Sequence, residues 1–153
     1  ETFSLLLLSP ANATIGRGQA LGTILDDDGD GPLSFYTLLP CRLLDTREAG
    51  PALDVGIERV VSAVGACGIP PEARAVVLNV TSVEATGAGD FQAYPAGTAA
   101  PDTSVVSFRA GRTRAGIAVV RLGADGGLAL TCRMPGSSTG SAHAVVDVSG
   151  YFR

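Results

Sequence analysis

Residues 74–82 read Arg74-Ala75-Val76-Val77-Leu78-Asn79-Val80-Thr81-Ser82, and this run decides the fold class. Val76, Leu78 and Val80 fall on one side of an extended chain, with Val77 and Asn79 on the other. Successive side chains of a strand point to opposite faces, so the run reads as a strand with one face buried. Ala142 to Val148 repeats the pattern: Ala144, Val146 and Val148 oppose His143, Val145 and Asp147. The first run extends to Ala73–Ser82. Around the pair lie further short apolar runs at Ser34–Leu38, Arg42–Asp45, Ile57–Val64, Gly89–Tyr94, Ser104–Phe108, Gly116–Leu122 and Leu128–Cys132. Gly68-Ile69-Pro70-Pro71, Pro95-Ala96-Gly97, Gly111 and Gly123-Ala124-Asp125-Gly126-Gly127 supply turns between them. No helical period and no internal repeat stands out. The expectation for residues 34–153 is an all-β, mostly antiparallel β-sandwich of about eight or nine strands.

Composition agrees with that class. The 153 residues include 20 Gly, 9 Pro and no Trp, and only 17% are charged. With 46% hydrophobic residues and a mean hydropathy of +0.30, apolar side chain is ample for a core. The net charge is −4, all 11 basic residues are Arg, and they are scattered singly. A nucleic-acid binder needs a clustered basic face to displace counterions, so that partner class is set aside. No apolar run approaches a membrane span, and Leu5 to Leu8 lacks the basic start and cleavage site of a signal peptide. A chain that opens on Glu1 rather than Met reads as a processed product or a fragment.

Residues 1–28 read as a two-stranded arm: Thr2 to Leu8, a break at Ser9-Pro10-Ala11-Asn12-Ala13, then Gln19 to Leu25. An acidic Gly/Pro linker occupies 29–33, continuing the acids of Asp26-Asp27-Asp28. Two strands alone are marginal in water, so the arm must pair with something else. Its first strand is apolar on both sides, with Phe3, Leu5 and Leu7 on one face and Leu6 and Leu8 on the other. Burying a leucine is worth about 1.5–3 kcal/mol, and exposed leucines on a strand invite association. Either a neighbouring domain or chain covers both faces, or the surface leucines are tolerated, or the arm is cut from a longer protein.

Three cysteines, Cys41, Cys67 and Cys132, leave one over from any pair. None has zinc-ligand spacing, and one His does not complete a usual metal site. They read as one disulfide in an oxidising compartment or as three reduced core thiols.

Two family resemblances follow from quoted residues. Glu1-Thr2-Phe3-Ser4-Leu5 through Ser9-Pro10-Ala11-Asn12-Ala13-Thr14-Ile15-Gly16, then Gly22-Thr23-Ile24-Leu25-Asp26-Asp27-Asp28, resembles the last two strands of a Calx-beta repeat. The resemblance covers residues 1–28 and implies an extracellular sandwich, with calcium bound in some members through acids placed like Asp26, Asp27 and Asp28. The repeat usually carries Thr or Ser where this strand carries Leu6 and Leu8. Farther on, Phe35-Tyr36-Thr37-Leu38-Leu39-Pro40-Cys41-Arg42-Leu43-Leu44-Asp45-Thr46-Arg47 is followed by Cys67-Gly68-Ile69-Pro70 and Ala75-Val76-Val77-Leu78-Asn79-Val80-Thr81. Tyr94-Pro95-Ala96-Gly97, Ala110-Gly111-Arg112-Thr113-Arg114-Ala115 and Asp147-Val148-Ser149-Gly150-Tyr151-Phe152 complete the set. This order resembles a β domain near the C-termini of large bacterial secreted and surface proteins. It implies that Cys41 and Cys67 are partners, that Cys132 is unpaired or interchain, and that the chain sits on the bacterial cell surface.

The candidate chemistry is modest. Asp26, Asp28, Asp30 and Gly31 have the spacing of the opening half of a calcium loop, but Thr37 stands where the bidentate Glu belongs. An acidic solvated linker is the alternative; calcium there would stiffen it. Asp45-Thr46-Arg47 and Asp147, with Arg42, Arg109 and Arg114 near Tyr36, Tyr94 or Tyr151, would make a glycan cleft or, on the plainer reading, a structural hydrogen-bond network. His143 with Cys132 and Asp147 lists the residue types of a nucleophile set, though a satisfied edge His is the plainer reading. Asn12-Ala13-Thr14 and Asn79-Val80-Thr81 match a glycosylation pattern that is incidental in a bacterial protein.

The expected function is a non-catalytic extracellular structural or adhesive module. It would assemble into filaments by β-strand addition of the arm through Phe3, Leu5, Leu6, Leu7 and Leu8. The alternative is a glycan- or cell-wall-binding module. The assembly expectation falls if Leu6 and Leu8 lie bare and no sheet accepts that segment.

Overall fold

A computed structural model describes residues 2–23, 31–137 and 139–153. The chain is all-β and divides into two compact units, Glu1–Leu33 and Ser34–Arg153.

In the first unit β1 (Thr2–Leu6) pairs antiparallel with β2 (Gln19–Thr23), from Thr2 opposite Thr23 to Leu6 opposite Gln19. The Leu7 N–H donates to the Gly18 carbonyl at 2.9 Å, carrying the ladder one residue past the strands. The connection turns through Ser9 and Asn12, both with positive φ (52° and 56°). Asn tolerates that region better than most residues. Phe3 lies across Gly22, where an added Cβ would come within 2.4 Å of the ring. Glycine is what lets that ring lie flat on the hairpin.

The second unit contains β3 (Phe35–Asp45), β4 (Leu53–Asp54), β5 (Glu58–Ser62), β6 (Ala75–Val83), β7 (Gly89–Pro95), β8 (Val106–Phe108), β9 (Arg114–Arg121), β10 (Gly127–Arg133) and β11 (Ser141–Phe152). One sheet runs β5-β10-β7-β8. The other runs β3-β11-β6-β9, with β4 beside the start of β11. Every strand pairing within these sheets is antiparallel. The alternation read in the sequence sets the packing. Val76, Leu78, Val80, Val146 and Val148 face inward from one sheet and meet Phe91, Leu128 and Leu130 in a single core.

Strand β10 is buried on both faces through Cys132. Its outer side carries Thr131, whose Oγ1 lies 2.7 Å from the Tyr94 hydroxyl; that hydroxyl also donates to Glu58 at 2.8 Å. Gln92 Nε2 donates to the Pro101 carbonyl, so the β7–β8 connection lies against this outer face.

Two departures from the sequence reading have local causes. The runs Ser34–Leu38 and Arg42–Asp45 are one strand, β3, because irregular register lets it continue past Pro40. The last strand does not stop at Val148. Ser149 is an extra residue opposite β6, while β3 has Leu38, Leu39 and Pro40 at the same place, and both pairings resume at Gly150. Such a bulge reverses side-chain parity. Tyr151, rather than the next even-numbered residue, therefore packs against the core. Tyr36 stacks on Tyr151 (5.3 Å, 12°), Phe35 meets Phe152 at 5.1 Å, and Arg153 lies 4.3 Å over the Tyr36 ring.

Candidate functional site

The Asp45-Thr46-Arg47 corner is where β3 turns away from β11. Its backbone is closed by the Glu48 and Ala49 N–H groups donating to the Asp45 carbonyl (3.2 and 2.9 Å). Arg47 grips the Asp45 carboxylate with Nε at 2.8 Å and Nη2 at 2.5 Å, and its backbone N–H adds a third bond at 3.1 Å. Arg42 reaches the same carboxylate through Nη1 at 3.1 Å. Its Nε and Nη2 donate to Asp147 at 2.8 and 3.2 Å. Two guanidinium groups and two carboxylates thus form one neutral chain, fork to fork, the geometry that makes Arg–carboxylate pairs strong. Hydrogen bonding from Arg47 holds the Asp45 carboxyl well below the usual carboxylate range, against the opposing effect of burial.

Thr46 completes the corner from inside. It is fully buried, its Oγ1 accepts the Ala144 N–H at 3.0 Å, and it lies 2.9 Å from His143 Nδ1. The Thr46 N–H donates to the Ala144 carbonyl at 3.0 Å. Asp45, Thr46, Arg47, Arg42, Asp147 and His143 are therefore brought together as a clasp between β3 and β11.

Beside the clasp, on the outer face of the five-stranded sheet, is an open groove of about 620 Å³ lined by Pro40, Cys41, Arg42, Asn79, Asp147, Val148 and Ser149. Of the residues read as a glycan cleft it contains Arg42 and Asp147. Arg109 and Arg114 lie elsewhere, after β8 and on β9. No tyrosine lines it: Tyr94 is buried on the other sheet, and Tyr36 and Tyr151 stack on each other. Asn79, Pro40 and Ser149 are not among the residues that the sequence reading assigned to a cleft. The one available signal was Ser149-Gly150 interrupting an otherwise regular strand pattern.

Cys41 and Cys67 form a disulfide with Cα atoms 5.8 Å apart, closing a span of 26 residues. In a chain-entropy account a loop of that size contributes about 3.5 kcal/mol. Cys132 is free and fully buried on the inner side of β10. Burial, with the Asp90 and Asp54 carboxylates adding to it, pushes its thiol up to about 11. Since the thiolate is the nucleophile, this is an inert core thiol. His143 is engaged with Thr46 at the clasp and Asp147 with Arg42, and among the described residues no hydrogen bond links either to Cys132. Among the described residues no group of His, Cys, Asp or Glu is placed to hold a metal ion. Asp26, Asp28 and Asp30 lie outside the described residues.

In the arm, Phe3, Leu5, Leu6, Leu7 and Leu8 are all exposed, Leu6 at 59% and Leu8 at 79%. Leu21, on the Leu6 face, is exposed as well. A two-stranded sheet has no second layer to cover either face. Half of the condition that would end the assembly expectation is thus met in a single chain; the other half, whether a further sheet accepts the segment, concerns a second surface.

No family model matches the chain, and no curated protein matches it. Fold and site define its class: an all-β protein whose larger unit is a disulfide-linked antiparallel sandwich. The disulfide, and the absence among the described residues of any helix long and apolar enough to cross a membrane, are compatible with an extracellular protein.

Proposed function

We propose that the chain is a non-catalytic extracellular module of a bacterial surface protein, structural or adhesive, that assembles through its N-terminal arm by β-strand addition. The observation that carries this reading is the arm itself: five consecutive or alternating large apolar residues, exposed on both faces of a sheet with only two strands. Strand addition answers both deficits, since backbone groups on the open edges gain partners and alternate leucines gain a covering surface. The sandwich supplies a stable body for such a linkage, closed by a disulfide of the kind that persists in oxidising compartments. No cofactor is required; calcium held by Asp26, Asp28 and Asp30 would act on the linker alone.

Sedimentation velocity and negative-stain imaging of the full chain test the proposal. The wild type is expected to form concentration-dependent oligomers or filaments, and Leu6→Ser with Leu8→Ser to remain monomeric. Equal association of both proteins would remove the arm from the mechanism.

A second reading, a glycan- or cell-wall-binding module, is supported by the groove that joins an Arg42–Asp147 pair to the half-buried Asn79. A glycan array and a pull-down on isolated peptidoglycan separate the two. Binding lost in Asn79→Ala and unaffected by the arm substitutions would favour the module.

A further inference from the structure

We infer that the surface receiving the arm is the free edge of β9 in a second copy of this chain; the inference rests on the assembly reading above and names its acceptor. Among the described residues, and apart from the two-residue β4 beside β11, the sandwich has four edge strands, β3 and β9 in one sheet and β5 and β8 in the other. Three are poor templates. Strand β8 has 3 residues. Strand β5 has 5 and opens on Glu58. Strand β3 contains Pro40, which has no N–H, is irregular in register at two places, and is tied down by the disulfide at Cys41. These are the devices by which proteins blunt sheet edges.

Strand β9 is charged only at its two ends, by Arg114 and Arg121, and has none of the other features. Its 8 residues, Arg114-Ala115-Gly116-Ile117-Ala118-Val119-Val120-Arg121, pair with β6 in unbroken register and include no Pro and no acid. The Leu122 N–H donates to the Arg74 carbonyl, which fixes the alternation of the ladder. Val120, Ala118, Gly116 and Arg114 then face β6, and Ala115, Ile117, Val119 and Arg121 turn their N–H and C=O groups outward. Among the described residues nothing pairs with those outward groups. Ile117 and Val119 are 78% and 62% exposed on the outer face beside the edge, positioned to flank alternate leucines of an added strand. The strand is also held firmly: an added Cβ on Gly116 would come within 2.3 Å of the Val105 carbonyl oxygen.

Charge selects the occupant. Residues 1–33 carry Glu1, Asp26, Asp27, Asp28 and Asp30 against Arg17 alone, so the whole net charge of −4 belongs to the arm and linker. The remaining acids and arginines of 34–153 balance. Between 103 and 124 the sequence has Arg109, Arg112, Arg114 and Arg121 and no acid. Among the described residues none of these four forms an ion pair. An apolar hairpin followed in sequence by an acidic run thus meets a basic apolar edge, and a donor at one place with an acceptor at another makes a head-to-tail contact that propagates.

The test uses full chains and sedimentation velocity. Ile117→Pro removes an outward N–H without touching the β6 ladder and is expected to weaken association about tenfold or more. Arg114→Glu with Arg121→Glu is expected to do the same at low salt. Mixing Ile117→Pro, which keeps its arm, with Leu6→Ser/Leu8→Ser, which keeps its edge, is expected to give a one-to-one heterodimer that grows no further. Circular dichroism checks that each variant is folded; should Ile117→Pro unfold, the double Glu variant decides. If the edge variants associate like the wild type while the arm variant is monomeric, β9 is not the acceptor and strand addition stands. If the wild type is monomeric, or the arm variant associates normally, the assembly reading itself fails and takes this inference with it.

Discussion

The arm and the sandwich are made from the same kind of strand, yet they deal with apolar side chains in opposite ways. In β6, Val76, Leu78 and Val80 are fully buried because a second sheet lies over that face. In β1, Phe3 and Leu5 alternate just as regularly, and Leu6 follows on the other face, yet all three are exposed. One apolar face alternates alike in the two regions, and the number of layers over it differs. An apolar face is a core when something covers it and a contact surface when nothing does. Substitutions in the sandwich should then act on stability and substitutions in the arm on association.

The sharpest way to break that division is a leucine in each region. Leu78→Ala empties space in the core and is expected to cost about 3–4 kcal/mol in urea unfolding while leaving association of the folded protein intact. Leu6→Ser with Leu8→Ser should change unfolding free energy by less than about 0.5 kcal/mol and abolish association. Reversed outcomes would overturn the contrast. Next in size, Cys41→Ser with Cys67→Ser should lower stability by about 3.5 kcal/mol through loop entropy alone. Intact mass before and after reduction confirms the single bridge.

The clasp offers a pH test of the same division. Asp45 titrates lower when folded than when unfolded, so it stabilises fully above the ordinary carboxylate value and loses that contribution as pH falls towards its folded value. Thermal melts should show the wild type weakening below about pH 4. Asp45→Asn should melt roughly 5 °C lower at neutral pH and decline less steeply on acidification. The smallest effect is expected at Ser82. Its hydroxyl is fully buried and is the single buried side-chain polar atom without a hydrogen-bond partner among the described residues. Ser82→Ala should raise stability by about 0.5–1 kcal/mol, since it removes a desolvated group that gains nothing.

How much could be read in advance depended on whether the cause was local. The strands in 73–82 and 142–148 were legible because alternation is a property of neighbouring residues, and the inward faces match it. Leu53–Asp54 was missed, being too short to show a period. Residues 39–41, left between the runs Ser34–Leu38 and Arg42–Asp45, belong to one edge strand whose irregular register passes through Pro40. The Asp45-Thr46-Arg47 motif was visible as a network with Arg42 and Asp147, but the part of His143, about a hundred residues away in sequence, was not. No spacing rule connects groups that meet only after β3 and β11 have paired.

By itself, then, the sequence determined the all-β class, the inward residues of the long strands and the two-faced oiliness of the first one, because each follows from alternation along a few residues. Tertiary structure decided which edge stays open and that Cys132 is sealed inside. Those are matters of which strands become neighbours, and neighbour choice is settled by packing two sheets around one core.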